Sequence, residues 1–140
     1  MIPSPSPPSS AGQTGRALHI TAWTLQVLLA LAFVAAAVAK LTGAAMMIDI
    51  FDKIGVGQWF RYVTGAVELV AAVLLLAPGR AAWGAALLVA TMSGAVLTHL
   101  LLIGGNPAPA IVLLALALVV LWIRRRQLPL SVLGAPGAQA

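Results

Sequence analysis

Lys40, Glu68 and His99 are ionisable side chains set inside otherwise apolar stretches of this sequence. An ammonium, a carboxylate and an imidazole can pair with one another, hold the polar head of a ligand or exchange a proton. Each is costly to place in an apolar medium, so each calls for a reason. Glu68 lies seven residues beyond Arg61, about 10 Å along a helix. A lone carboxylate at that depth must be paired or protonated, and Lys40 is its natural counter-ion. Lys40, Glu68 and His99 are therefore the candidate cofactor-binding cluster. The plainer reading is structural. Lys40 snorkels to the headgroups or clamps Glu68, and His99 ties two helices together by a hydrogen bond.

Other chemistries are excluded. The chain has no cysteine, so it offers no disulfide, no thiolate nucleophile and no thiol ligand. Any redox role then falls to a bound cofactor or to a partner. Glu68 and His99 are too few ligands for a metal, and none is expected. His19 belongs at the opposite membrane face, about 30 Å from His99 along the helix axis, which rules out a bis-histidine haem within one chain. No catalytic residue is assigned.

Positioning these groups falls to helices in lipid. Of 140 residues, 61% are hydrophobic and 8% charged, against about 25% charged in soluble domains. Apolar runs at about 18–41, 62–77, 81–103 and 107–123 are each long enough to cross a hydrocarbon core of about 30 Å. Backbone polar groups in lipid must be satisfied internally, so the runs are helices. The expected fold is all-α, a bundle of four transmembrane helices. Successive spans alternate direction, which brings Lys40, Glu68 and His99 into one leaflet. Gln26, Phe33 and Lys40 recur every seven residues, so Gln26 is expected to line the same seam deeper down.

Between the first two spans Met47, Ile50, Phe51 and Ile54 fall at i, i+3, i+4 and i+7, with Asp49, Asp52 and Lys53 opposite. That is a short interfacial amphipathic helix. Trp59, Phe60 and Tyr62 follow as an aromatic belt. Pro78-Gly79-Arg80 and Gly104-Gly105-Asn106-Pro107 are tight turns, with Asn106 placed to cap the last helix. Small residues at i+4 spacing, Ala82–Ala86–Ala90–Gly94–Thr98 and Ala35–Ala39–Gly43, are expected to let helices approach closely, within the bundle or between copies. Residues 1–16 and 127–140, rich in Pro, Gly and Ser, are expected to be disordered tails around a membrane domain at 17–126. Arg16, Arg80 and Arg124–Arg126 outnumber Lys40, Lys53 and Arg61 across the spans. The expected placement is a multi-pass protein of a bacterial-type inner membrane, with both termini cytoplasmic. The net charge of +5 is thereby accounted for, and nucleic acid is not an expected partner.

Lys40-Leu41 closing the first span, Ile54-Gly55-Val56-Gly57-Gln58-Trp59-Phe60-Arg61-Tyr62, and Thr64-Gly65-x-x-Glu68 together resemble the DoxX-like membrane family. Trp83-Gly84-Ala85 and Thr98-His99-Leu100 before Gly104-Gly105 extend the resemblance to about residues 18–125. It implies a four-helix inner-membrane subunit. Some members are associated with thiosulfate:quinone oxidoreduction and some with membrane-bound oxidoreductase assemblies. The family's polar positions match Lys40, Glu68 and His99.

The leading functional reading is an accessory or quinone- or lipid-binding subunit of a membrane oxidoreductase system. The alternative is a structural or assembly factor for partner membrane proteins, without small-molecule chemistry. A proton path through Glu68 is the weakest reading, because no chain of polar groups runs to the other face. The expected partners are the lipid bilayer, other membrane proteins or an oxidoreductase complex, and further copies of the chain.

Overall fold

The structure is a computed structural model and describes residues 10–129. Helix α1 (Ser10–Thr42) is followed by the short α2 (Ala45–Ile54) and by α3 (Gln58–Leu76). Helix α4 (Ala81–Thr98) runs on into a turn of π-helix, His99–Ile103, and α5 (Ala108–Arg124) ends in a 3-10 turn, Arg125–Gln127. No strand occurs among the described residues. Four helices are long and apolar enough to cross a membrane: α1, α3, α4 with its π turn, and α5. The chain is a small integral membrane protein, an all-α bundle of four transmembrane helices with a short amphipathic helix after the first.

Local chemistry explains the breaks. Gly43 takes φ 75°, a conformation that favours glycine, and turns the chain from α1 into α2. Asn106 Oδ1 accepts from the Ala108 N–H at 2.9 Å, satisfying one free donor at the start of α5. Helix α1 starts at Ser10, inside the segment that composition reads as a tail. The rest of that segment, 1–9, lies outside the described residues, as do 130–140 of the second tail.

Helix α1 packs on α3, α3 on α4 and α4 on α5, and α5 closes the ring against α1. Leu29, Phe33, Leu75, Leu88 and Val120 fill the interior, with Ala37, Ala71, Ala85 and Ala117 where backbones come close. Leu31, Val73, Leu101 and Trp122 point outward. Lipid tails are as apolar as these side chains, so close packing of small residues holds the helices together.

Only parts of the small-residue ladders are contact lines within the bundle: Ala82 is buried and Gly43 meets Arg61. Ala35 is exposed on α1, whose buried stripe is Ala22, Gln26, Leu29, Phe33 and Ala37. On α4 the tightest contact is Gly84, where an added Cβ would lie 2.7 Å from the Ala71 carbonyl oxygen and the Leu75 nitrogen of α3. Ala90 and Gly94 are exposed, and nothing lies within 4 Å of a Cβ built on Gly94. Small residues permit close approach without compelling it, and toward the α2 end α3 and α4 leave space between them.

Candidate functional site

Glu68 is reached through Gly65. A Cβ on Gly65 would sit 3.2 Å from Lys40 Cβ and Leu41 Cγ, so the bare glycine lets α1 and α3 cross closely. Cβ bonds lean toward a helix's own N-terminus. Lys40, near the C-terminal end of α1, therefore leans down the bundle, and Glu68 on antiparallel α3 leans up to meet it. Lys40 Nζ donates to Glu68 Oε2 at 2.8 Å and to Oε1 at 3.1 Å. The Glu68 side chain is 2% exposed and that of Lys40 14%, so the pair is largely out of solvent and held by complementary charge.

Arg61 completes this end of the bundle. The last carbonyls of α1 lack intrahelical partners, and Arg61 Nη1 donates to the carbonyl oxygen of Lys40 itself. Its guanidinium carbon stands 4.3 Å above the Tyr62 ring centroid. Arg61 Nε donates to Gln58 Oε1 at 2.7 Å, and Gln58 Nε2 donates to Asp52 Oδ1 at 2.7 Å and to the Ile48 carbonyl at 3.0 Å. A polar chain thus joins α2 to the end of α1. In the sequence Arg61 stands out only as an interfacial charge. The signal that identifies it is the buried stripe Arg61, Gly65, Glu68, Ala72, Leu75, one helical face on which an arginine must have a partner.

Beside the ion pair lies a cavity of about 530 Å³. Lys40, Thr64 and Glu68 form one wall; Thr91, Gly94, Ala95, Thr98 and His99 of α4 and its π turn form another. Met47, Ile50, Phe51 and Ile54 roof it. The apolar stripe of α2 is thus occupied by the bundle's own cavity, with Phe51 edge-on to Phe60 at 5.9 Å. Val63, Ala90 and Gly94 line the cavity and are exposed at the bundle surface between α3 and α4, so the space opens toward where lipid lies.

His99 reaches the same cavity without bonding Lys40 or Glu68. Its Nδ1 is 3.1 Å from the Gly104 carbonyl oxygen. That oxygen can only accept, so Nδ1 carries the proton, and in the neutral ring Nε2 is left as an acceptor. The π turn that begins at His99 widens the helix here, a feature common at functional sites. Thr64 and Thr91 donate to their own helices, to the Arg61 and Leu87 carbonyls, and keep oxygen lone pairs for other donors.

Gln26 does not extend this site. Its Nε2 donates to the Leu75 carbonyl at 2.6 Å, and its Oε1 accepts from Arg124 Nε at 2.8 Å. The seam through Gln26, Phe33 and Lys40 is real, but fourteen residues separate its polar ends, about 21 Å of helix. At the far end, the unpaired C-terminal carbonyls of α3 and the arginine of α5 claim Gln26.

Chemically, the cavity offers an ammonium with one proton not committed to Glu68, an imidazole acceptor and hydroxyl oxygens, on walls that are otherwise apolar. Such a set can orient the polar end of a hydrophobic molecule. Among the described residues no three His, Cys, Asp or Glu side chains converge as a metal site would need. No curated protein and no solved structure matches the chain. The sequence profile of the DoxX-like family matches residues 24–123, a span running from α1 to the end of α5 that includes Lys40, Glu68 and His99, and the chain belongs to that family.

Proposed function

We propose that this protein is a ligand-holding subunit of a membrane oxidoreductase system, and that its cavity takes a quinone from the bilayer. The observation that carries the reading is the cavity between α3 and α4, apolar on most of its wall, with Lys40, Glu68 and His99 on its lining. Its volume falls within the range of about 300–1,000 Å³ usual for small-molecule sites. A quinone needs a donor for its carbonyl, which the spare Lys40 proton supplies. A quinol needs an acceptor for its hydroxyl, which His99 Nε2 supplies. The chain has no cysteine, so electrons pass to or from the ligand through a partner.

The five-to-three basic count supports a cytoplasmic arginine end, and with it a cavity on the outer-leaflet side of a bacterial-type inner membrane. Purifying the protein in mild detergent, extracting it with organic solvent and weighing the extract tests the reading. A quinone close to one per chain is the expected result. The second reading, an assembly factor without a ligand, is favoured by the self-satisfied Lys40–Glu68 pair. An extract holding only bulk phospholipid would select it.

A further inference from the structure

The end of the bundle away from α2 carries a second concavity. Three successive arginines close this end: Arg124 is the last residue of α5, and Arg125 and Arg126 lie in the 3-10 turn Arg125–Gln127. Arg124 turns in to Gln26. Gln127 Oε1 accepts from the Ala82 N–H at 3.0 Å, tying the turn to the start of α4. Arg125 and Arg126 are left exposed on a cleft of about 150 Å³ whose other walls are Leu18, Trp122 and Ile123. The Arg125 guanidinium stacks 4.8 Å above the Trp122 ring centroid, which holds it at the cleft edge.

The charge around this cleft is one-sided. The acidic residues of the chain are Asp49, Asp52 and Glu68, and all belong to the α2 end. Among the described residues Arg16, Arg80, Arg125 and Arg126 gather at the other end with no Asp or Glu, and the one ion pair is Lys40–Glu68. These guanidinium groups have no acidic side chain beside them among the described residues and suit an external anion. Helix α1 spans 33 residues, about 50 Å, longer than the hydrocarbon core. That length carries its N-terminal part along the last turn of α5 and brings Leu18 into the cleft wall.

We propose that this cleft binds an anionic phospholipid, its phosphate on Arg125 and Arg126 and its first methylenes against Leu18, Trp122 and Ile123. A guanidinium fork matches phosphate oxygens two at a time. Tryptophan suits the boundary between headgroup and acyl chain. A free phosphate shares the headgroup chemistry but leaves the apolar walls uncovered. The site is independent of the cavity at the other end.

Native mass spectrometry of the full chain in detergent, with dioleoyl phosphatidylglycerol, dioleoyl phosphatidylcholine and inorganic phosphate as probes, tests this. The wild type retains phosphatidylglycerol over phosphatidylcholine by about tenfold or more, as two juxtamembrane arginines would confer. The double variant Arg125→Gln, Arg126→Gln loses that preference, while Arg80→Gln, at the same end but outside the cleft, keeps it. Leu18→Trp leaves the charge unchanged, narrows the cleft and weakens retention, which decides the matter even where the double variant folds poorly. An unchanged preference in the double variant or in Leu18→Trp overturns the proposal. So does an equal loss in Arg80→Gln, which would mean diffuse charge, or displacement of the lipid by millimolar inorganic phosphate, which would mean a free-anion site.

Discussion

Arg61 and Glu68 act on the same residue of the neighbouring helix: Arg61 holds the Lys40 carbonyl and Glu68 holds the Lys40 ammonium. They lie two turns apart on the buried face of α3, with Gly65 between them. Helix α1 is thus fixed at one point by its backbone and by its side chain, and the cavity wall is set by that fixation.

The ion pair should show coupling. Lys40→Met or Glu68→Leu alone leaves a charge without its partner in a buried site, which costs about 3–5 kcal/mol in comparable pairs. The double variant should lose less than the sum of the two. Reversible unfolding in mixed micelles measures all three, and additive losses would show that the two groups do not support each other.

Arg61→Ala should destabilise the protein by about 1.5–3 kcal/mol, the range for hydrogen bonds to charged groups. Arg61→Lys should recover only part of this, because an ammonium cannot hold Gln58, the Lys40 carbonyl and the Tyr62 face together. Full rescue by lysine in the same unfolding assay would mean that charge alone matters at this position.

Glycine substitutions on α4 should divide sharply. Gly84→Ala drives a methyl into the α3 backbone and should lower stability by about 1–3 kcal/mol. Gly94→Ala meets nothing and should leave stability unchanged or raise it by up to about 1 kcal/mol, since alanine is the better helix former. Equal melting temperatures for the two variants would contradict the packing described.

Topology is open to direct measurement. A reporter active only in the periplasm should give signal when fused after Gly57 or Asn106 and none after Gly79 or Gln127. The reverse pattern would put the cavity in the cytoplasmic leaflet.

Much of this architecture is legible in residue order because lipid leaves few alternatives. The apolar runs had to be helices, and Met47, Ile50, Phe51 and Ile54 declare the face of α2. Lys40 and Glu68 attract each other whatever the details of packing. What periodicity does not show is which side of a small-residue helix meets a neighbour. Ala90 and Gly94 pattern like a contact line yet border open space, because α3 and α4 touch at Gly84 and leave room beyond it. The roles of Arg61 and Gln26 were hidden for a related reason: each bonds a carbonyl in the last turn of another helix, and those ends become neighbours only once the bundle closes. The π turn at His99 has no marker in residue type.

If the protein is the quinone-holding subunit proposed above, the space beside Lys40 and Glu68 holds the quinone. Gly94→Leu adds a side chain to the cavity lining at an exposed position where a Cβ meets nothing within 4 Å, so the bundle should fold as before. Quinone bound per chain, measured by solvent extraction of wild type and Gly94→Leu at matched melting temperature, is the most direct test. Close to one quinone per wild-type chain and at least a tenfold loss in the variant are expected. Equal quinone in both, or none in the wild type, would contradict the proposal.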